Sequence, residues 1–279
     1  MADWVDAARA GRADMLVLGD STVLFGGHGF DAGLIRAGAD EFGLAGTGLL
    51  SARTAAGERH NSFVVTSAGF SKVSPAGAPS AVAGYAWEGV TVAGSSNASR
   101  FHTRIDVADS PLLSSSGAYE WNIYAAGLSD EARLTAYRRL GSSPYSTLQS
   151  MPATSVTEGA IDRLRFGFTA QPDAGNRPHE FSLQNTRDTA ILYNRLQTAE
   201  NRGITVTSWG YGGKTTLDFY RDRLLSMSDA GRAAWLSAMV DGSDSGKLNV
   251  VLIEGFNDRN ETRSSLAGTA DGRMFAVAS

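Results

Sequence analysis

The sequence contains no cysteine, which excludes disulfides, thiolate metal sites and a cysteine nucleophile. Histidine is scarce: His28, His60, His102 and His179 are the only four, so imidazole chemistry has few candidates. Apolar residues never run on for the roughly 18 positions that a membrane-spanning helix needs. Charged residues make up 19% and the formal net charge is −4, which leaves no basic footprint for a nucleic-acid partner. The amino terminus, Met1 to Ala10, lacks the basic start and apolar middle of a signal peptide. The protein is therefore expected to be cytoplasmic, or extracellular or periplasmic if a signal has been removed.

What is present is 42% apolar residues in 279, enough for one large core or two smaller ones. Met15-Leu16-Val17-Leu18-Gly19-Asp20-Ser21 reads as a buried parallel strand ending at a glycine turn. A serine just past the carboxyl end of such a strand lies where open α/β sheets keep their ligands. Leu248 to Ile253 is a second buried-type strand, running into Glu254-Gly255-Phe256-Asn257-Asp258. A third segment, Trp209-Gly210-Tyr211-Gly212-Gly213-Lys214-Thr215, follows the β-like run Gly203 to Ser208.

Between these segments the pattern changes. Trp4 to Arg12 has helical spacing with Trp4, Val5 and Ala8 on one side, and Asp31 is expected to cap a helix through Leu34, Ile35 and Ala39. From Phe63 to about Asn185, strand-length runs are separated by Gly, Ser, Pro and Asn clusters, and several of them alternate apolar and polar residues. Phe63–Thr66, Gly89–Ala93, Arg100–Val107 and Arg163–Thr169 are examples, and they predict a β-sandwich or jelly roll. Helical patterns return over Thr215–Met227 and Asp229–Val240, with Asp229 as N-cap of the second. The expected organisation is an α/β domain over residues 1–62 and 203–279, its carboxyl end incomplete, with a β-rich module inserted at 63–202.

In their order along the chain the three strand-end segments resemble blocks I, II and III of the SGNH (GDSL-type) hydrolase superfamily of esterases and lipases. The resemblance spans residues 14–60 and about 203–262. It implies a three-layer α/β/α fold on a parallel sheet, interrupted here by the β-sandwich (jelly-roll-like) insertion. It also implies Ser21 as the nucleophile. The backbone N–H groups of Ser21 and Gly213, with Gly212 as the alternative, and the Asn257 amide would form an oxyanion hole. Asp20 would support the turn and Asp258 is the usual neighbour of the asparagine. The residue types suit the chemistry, because glycine lets the backbone approach an oxyanion closely and an Asn amide is a neutral donor for developing charge. Taken singly, each has a plainer reading: Ser21 as a cap, Gly213 as a turn residue, Asn257 as a strand end.

The superfamily's fourth block, Asp-x-x-His, supplies the base and its orienting carboxylate. It has no counterpart here, since Asp271-Gly272-Arg273-Met274 carries Met where His should stand. The base is expected to lie beyond Ser279. Otherwise it comes from elsewhere, His28 being nearest to Ser21 in sequence, or the site is inactive. The function expected is hydrolysis of an ester, above all an acetyl ester on a saccharide, without metal or cofactor. The alternative is a non-catalytic glycan-binding or structural protein that keeps the fold. Some SGNH enzymes that remove O-acetyl groups from polysaccharides carry an inserted carbohydrate-binding β-module, and this layout resembles theirs in outline.

Other patterns are set aside. Gly27-His28-Gly29-Phe30-Asp31-Ala32 matches G-x-G-x-x-A but does not start directly after its strand. Gly212-Gly213-Lys214-Thr215 ends like a P-loop, yet Ser208 stands where its first glycine belongs. Asp241 to Gly246 hints at a calcium loop, but Leu252 holds the place of the bidentate Glu. Tyr85, Trp87, Phe101, Tyr119, Trp121, Tyr124, Tyr137 and Tyr145 could stack on sugar rings or form the sandwich core.

Overall fold

The computed structural model describes residues 2–20, 30–52, 59–60, 63–73, 77–84, 90–94, 99–105, 118–140, 149–150, 153–169, 179–211, 225, 227–243 and 246–253. The apolar run at Met15 is the middle of β1 (Arg12–Asp20), which lies between β15 (Gly203–Tyr211) and β16 (Leu248–Ile253), both parallel to it. This parallel sheet needs cover on both faces, and the pleat divides the residues accordingly. Ala13, Met15 and Val17 bury against Trp4 and Ala8 of α1 (Ala2–Ala10) and against Leu34, Ile35 and Phe42 of α2 (Phe30–Phe42). Leu16 faces the other way and packs with Trp235, Ala238 and Met239 of α3 (Asp229–Val240).

Helices on the two faces follow from strand order. The chain leaves β1 and returns as β15 on one side, then crosses to β16 on the other. Right-handed crossovers in opposite directions put their helices on opposite faces. The α/β character expected from sequence is therefore present, with local differences. Helix α2 already includes Asp31, which is thus a first-turn residue and not the cap. Ser228, not Asp229, caps α3, its hydroxyl accepting from the Gly231 N–H at 3.0 Å. An acidic residue suits the first turn's dipole as well as the cap, so the sequence signal was right to within one residue. The helix expected over Thr215–Met227 falls almost wholly outside the described residues.

Among the described residues, all the antiparallel strands lie between α2 and β15 in the chain. One sheet runs β10 (Gln149–Ser150), β9 (Arg133–Leu140), β13 (His179–Arg187), β7 (Ser99–Ile105), β4 (Phe63–Ala68), β3 (Arg59–His60), with β11 (Thr154–Ser155) also on β9. The other runs β12 (Asp162–Thr169), β8 (Ala118–Gly127), β14 (Thr189–Thr198), β6 (Val90–Ala93), β5 (Phe70–Val73), with β2 (Leu50–Ser51) on β14. They pack face to face around Phe101, Leu134, Phe181 and Leu183 from the first and Trp121, Ile123, Phe166 and Phe168 from the second. Phe181 meets Trp121 at 5.9 Å and Phe168 at 5.3 Å between ring centroids. Aromatic contacts of this kind across two sheets add to simple area burial. The strand-rich stretch, expected to end near Asn185, runs on through Thr198.

A strap joins the sandwich to the parallel sheet. After α2, Gly43 ends the helix at φ +82°, its N–H returning to the Ala39 carbonyl. Ala45 then bonds to the Ile204 carbonyl of β15 and Thr47 to the Leu196 carbonyl of β14. Gly48, at φ +73°, presses against the Val206 carbonyl, where a Cβ would sit 2.4 Å away. The next residue, Leu49, donates its N–H to Thr207 Oγ1 at 2.8 Å. Strand β14 is buried on both faces as a result.

Candidate active site at the carboxyl ends of the parallel strands

The parallel register aligns three strand ends. Asp20 stands opposite Tyr211, and Gly19 stands opposite both Gly210 and Ile253. Because the two crossovers diverge at β1, its carboxyl end is the switch point of the sheet, where open α/β folds hold ligands. Strand β15 continues through Gly210 and Tyr211, beyond the β-like run Gly203 to Ser208 read from the sequence. Ser21, His28, Gly212, Gly213, Asn257 and Asp258 lie outside the described residues, as do Gly27 to Gly29, and Asp20 is described for its backbone. Of the expected site residues the structure thus gives the strands that lead to them.

The surface beside these ends is apolar on one face. Leu18 of β1 is opposite Leu252 of β16, and Leu16 is opposite Val250. Leu252 and Val250 are each 54% exposed, while Leu18 is partly buried.

The buried charges sit at the other end of the sheet. Arg12, the first residue of β1, is wholly buried and donates from Nε to Asp14 Oδ1 at 2.9 Å, from Nη1 to Asn201 Oδ1 at 3.0 Å and from Nη2 to the Met239 carbonyl at 3.3 Å. Asp14 also accepts from the Thr205 hydroxyl. Arg195, from β14, is equally buried and donates to the carbonyls of Ala238, Met239 and Asp241 at 2.6, 2.7 and 3.0 Å. These carbonyls at the carboxyl end of α3 lack helical partners and carry the negative end of its dipole. Two guanidiniums, one from the parallel sheet and one from the sandwich, close that helix end. Burial, then the neighbouring Arg12 charge, lowers the Arg195 guanidinium to about 10, still protonated at neutral pH.

Tyr124 of β8 extends the network, donating to Asp241 Oδ2 at 2.8 Å. Arg163 forms an ion pair with the same carboxylate. Burial pushes the Tyr124 hydroxyl up to about 12, Arg195 opposing and Asp241 reinforcing the shift. From Arg12 to Asp20 there are eight strand steps, about 26 Å at the usual rise. The network therefore fastens the sandwich to the sheet, at the end of β1 opposite to Asp20.

The sugar-stacking reading of the aromatics divides likewise. Phe101, Tyr119, Trp121 and Tyr124 are buried and belong to cores. Tyr137 is half-buried, and Tyr85, Trp87 and Tyr145 lie outside the described residues.

No family model and no curated protein matches the sequence. Among solved structures, the chain is similar to a peptidoglycan O-acetylesterase at 14% identity and a TM-score of 0.59, over 98% of this chain and 68% of that one. It shares that protein's fold. Weaker likenesses include a carbohydrate-binding module from Cellvibrio mixtus lichenase 5A solved with cellotriose (12% identity, 55% of this chain, 98% of that one, TM-score 0.33). Another is a xylan-binding domain from Paenibacillus barcinonensis (10% identity, 56% and 99%, TM-score 0.36).

Proposed function

We propose that the protein is a serine esterase of SGNH type that removes an acyl group, above all acetyl, from a carbohydrate ester. The observation that carries the proposal is the switch point: the strands leading to Ser21, Gly213 and Asn257 end side by side, with Asp20 opposite Tyr211 and Gly19 opposite Ile253. Adjacent strands run about 4.8 Å apart. One peptide link, about 3.8 Å between Cα atoms, separates Ser21 from Asp20. The fold shared with a peptidoglycan O-acetylesterase supports the same reading at the level of fold. So do helices on both faces of the parallel sheet, which suit the three-layer arrangement. The division at 1–62, 63–202 and 203–279 belongs to the same proposal.

In this mechanism Ser21 Oγ attacks the acyl carbon and gives up its proton to a base. The tetrahedral oxyanion accepts from the Ser21 and Gly213 N–H groups and from the Asn257 amide. Collapse expels the sugar hydroxyl, which takes the proton back, and water then repeats the attack on the acyl-enzyme. Asp20 and Gly212 shape the two turns, and Asp258 follows the oxyanion-hole asparagine. No metal or cofactor enters any step.

The second reading is a glycan-binding protein that keeps the fold without turnover. Reaction with a fluorophosphonate probe separates the two, with Ser21→Ala as control. Labelling confined to Ser21 supports the esterase and makes His28 the first base to replace. Absence of labelling, or labelling at another serine, overturns the esterase reading for this chain.

A further inference from the structure

Arg138 is a buried cation without an anion. On β9 it follows Leu134 and Ala136 at alternate positions, so its side chain enters the space between the two sandwich sheets. It is 6% exposed. On that inner face it stands opposite Phe181, which packs against Phe168 of the other sheet. Nη1 donates to the carbonyl of Thr169, the last residue of β12. Nη2 is shut away from water and has no hydrogen-bond partner. Burial lowers the guanidinium below its ordinary value, with the Tyr119 phenol opposing.

Other arginines with little exposure are matched. Arg12 meets Asp14, Arg195 meets three carbonyls at the end of α3, and Arg187 meets Glu131 and Asp188. Among the described residues no carboxylate pairs with Arg138. A buried charge left unpaired is costly, and a link between two sheets needs only an uncharged donor. The guanidinium is therefore poorly explained as a staple to Thr169.

Its place in the fold supplies an approach. Gln149 of β10, opposite Arg138, belongs to the outermost strand of the first sheet, and β12 is the outermost strand of the second. Thr169, at the tip of β12, is exposed. The arginine stem thus lies between the sheets while its head reaches the rim of the sandwich.

We infer that Arg138 anchors a carboxylate-binding site at this rim, and that the carboxylate belongs to an acidic sugar. Thr169 holds Nη1 and leaves Nη2 to donate to the ligand. One carboxylate neutralises one guanidinium and shares its planar geometry, whereas a phosphate dianion would leave a net negative charge among Phe181, Phe168 and Tyr119. The sugar rests on the carbohydrate part of the proposed function, and the carboxylate rests on Arg138 itself.

The test is titration of the full chain with sodium methyl α-D-glucuronoside, methyl α-D-glucoside and sodium acetate at constant ionic strength. Calorimetry reads binding, and thermal unfolding reads the midpoint. The glucuronoside should bind and raise the midpoint, and the other two should bind at least about tenfold more weakly. Arg138→Gln should lose about tenfold or more in affinity for the glucuronoside. Arg100→Gln, exposed on the opposite face of the same sheet, should lose none. Arg138→Met removes the unpaired charge, so without ligand it should unfold at or above the wild-type midpoint, and the glucuronoside should not raise it.

No effect of the glucuronoside on the wild type overturns the inference, whatever the variants do. So does equal binding of the neutral glycoside or of acetate. Undiminished binding by Arg138→Gln, or an Arg138→Met that unfolds well below the wild type, would return the arginine to a structural role and overturn it too. Turnover of p-nitrophenyl acetate by the same preparation keeps the proposals apart. Turnover without binding removes only this one, and binding without turnover removes only the esterase.

Discussion

Asp20, the last residue of β1, stands opposite Tyr211, the last residue of β15. The pair is the last aligned position of these two strands. Catalytic groups carried on loops depend on rigid strands for their placement, and β1 is anchored along its length. Its neighbours pair with it on both sides, and its first residue is fixed to the carboxyl end of α3 through Arg12.

If Asn257 donates to the oxyanion, its loss should affect kcat more than KM. Removing one such donor costs about 10²–10³ in rate, because the hydrogen bond strengthens as charge develops. Asn257→Ala should therefore lower kcat on p-nitrophenyl acetate by roughly that factor, with KM within about threefold. A rise in KM with kcat unchanged would assign Asn257 to substrate binding and remove it from the oxyanion hole.

The two-arginine cap on α3 predicts a stability effect far from the site. Arg195 satisfies the carbonyls of Ala238, Met239 and Asp241. Arg195→Met keeps the stem and leaves these acceptors without their charged donor, at a cost of about 2–4 kcal/mol. Lysine cannot bridge three carbonyls in the same way, so Arg195→Lys should recover less than half. Urea midpoints would measure both. A change below about 0.5 kcal/mol in Arg195→Met would mean that Arg12 alone closes the helix.

This cap also shows where sequence reading stopped. Strands β1, β15 and β16 were legible because their apolar runs are bounded by glycine. The sandwich was legible where apolar and polar residues alternate, as in Arg163–Thr169. Strand β14 was not, because it is covered on both faces and also carries Asn194, Arg195 and Gln197. Their partners are distant in sequence, Arg195 bonding to Asp241 across 46 positions, and periodicity carries no trace of such pairs. At the candidate site the sequence went further than the structure. It named Ser21, Gly213 and Asn257, while the structure contributes the alignment of the strands before them.

Two glycines should respond to alanine in opposite senses. Gly48 combines φ +73° with a Cβ position 2.4 Å from the Val206 carbonyl. Gly48→Ala must displace the strap from β15 as well as accept a left-handed conformation costing about 1–2 kcal/mol, so a total loss of about 2–4 kcal/mol is expected. Gly33 lies within α2 with open space at its Cβ position. Gly33→Ala should stabilise by about 0.5–1 kcal/mol through helix propensity. Thermal unfolding of the two variants should bracket the wild type, and a stabilised Gly48→Ala would refute the close approach.

Tyr124 predicts a pH dependence with a definite sign. Its hydroxyl, at about 12 in the folded protein, is raised above the ordinary value near 10 that it takes when unfolded. A raised folded value means that the contribution is fully present below pH 10 and is lost as pH climbs through 12. The shift of about two units corresponds to about 2–3 kcal/mol. Arg195 is lowered to about 10 and acts in the opposite direction over the same range, so the wild-type curve alone would mix the two. The difference between wild type and Tyr124→Phe isolates the tyrosine. Below pH 10 the variant should be less stable by about 1 kcal/mol, the hydrogen bond to Asp241. Between pH 10 and 12 that deficit should close and then reverse, because only the wild type must keep a buried phenol protonated. A deficit that stays constant to pH 12 would show that Tyr124 ionises in the folded protein as it does in water.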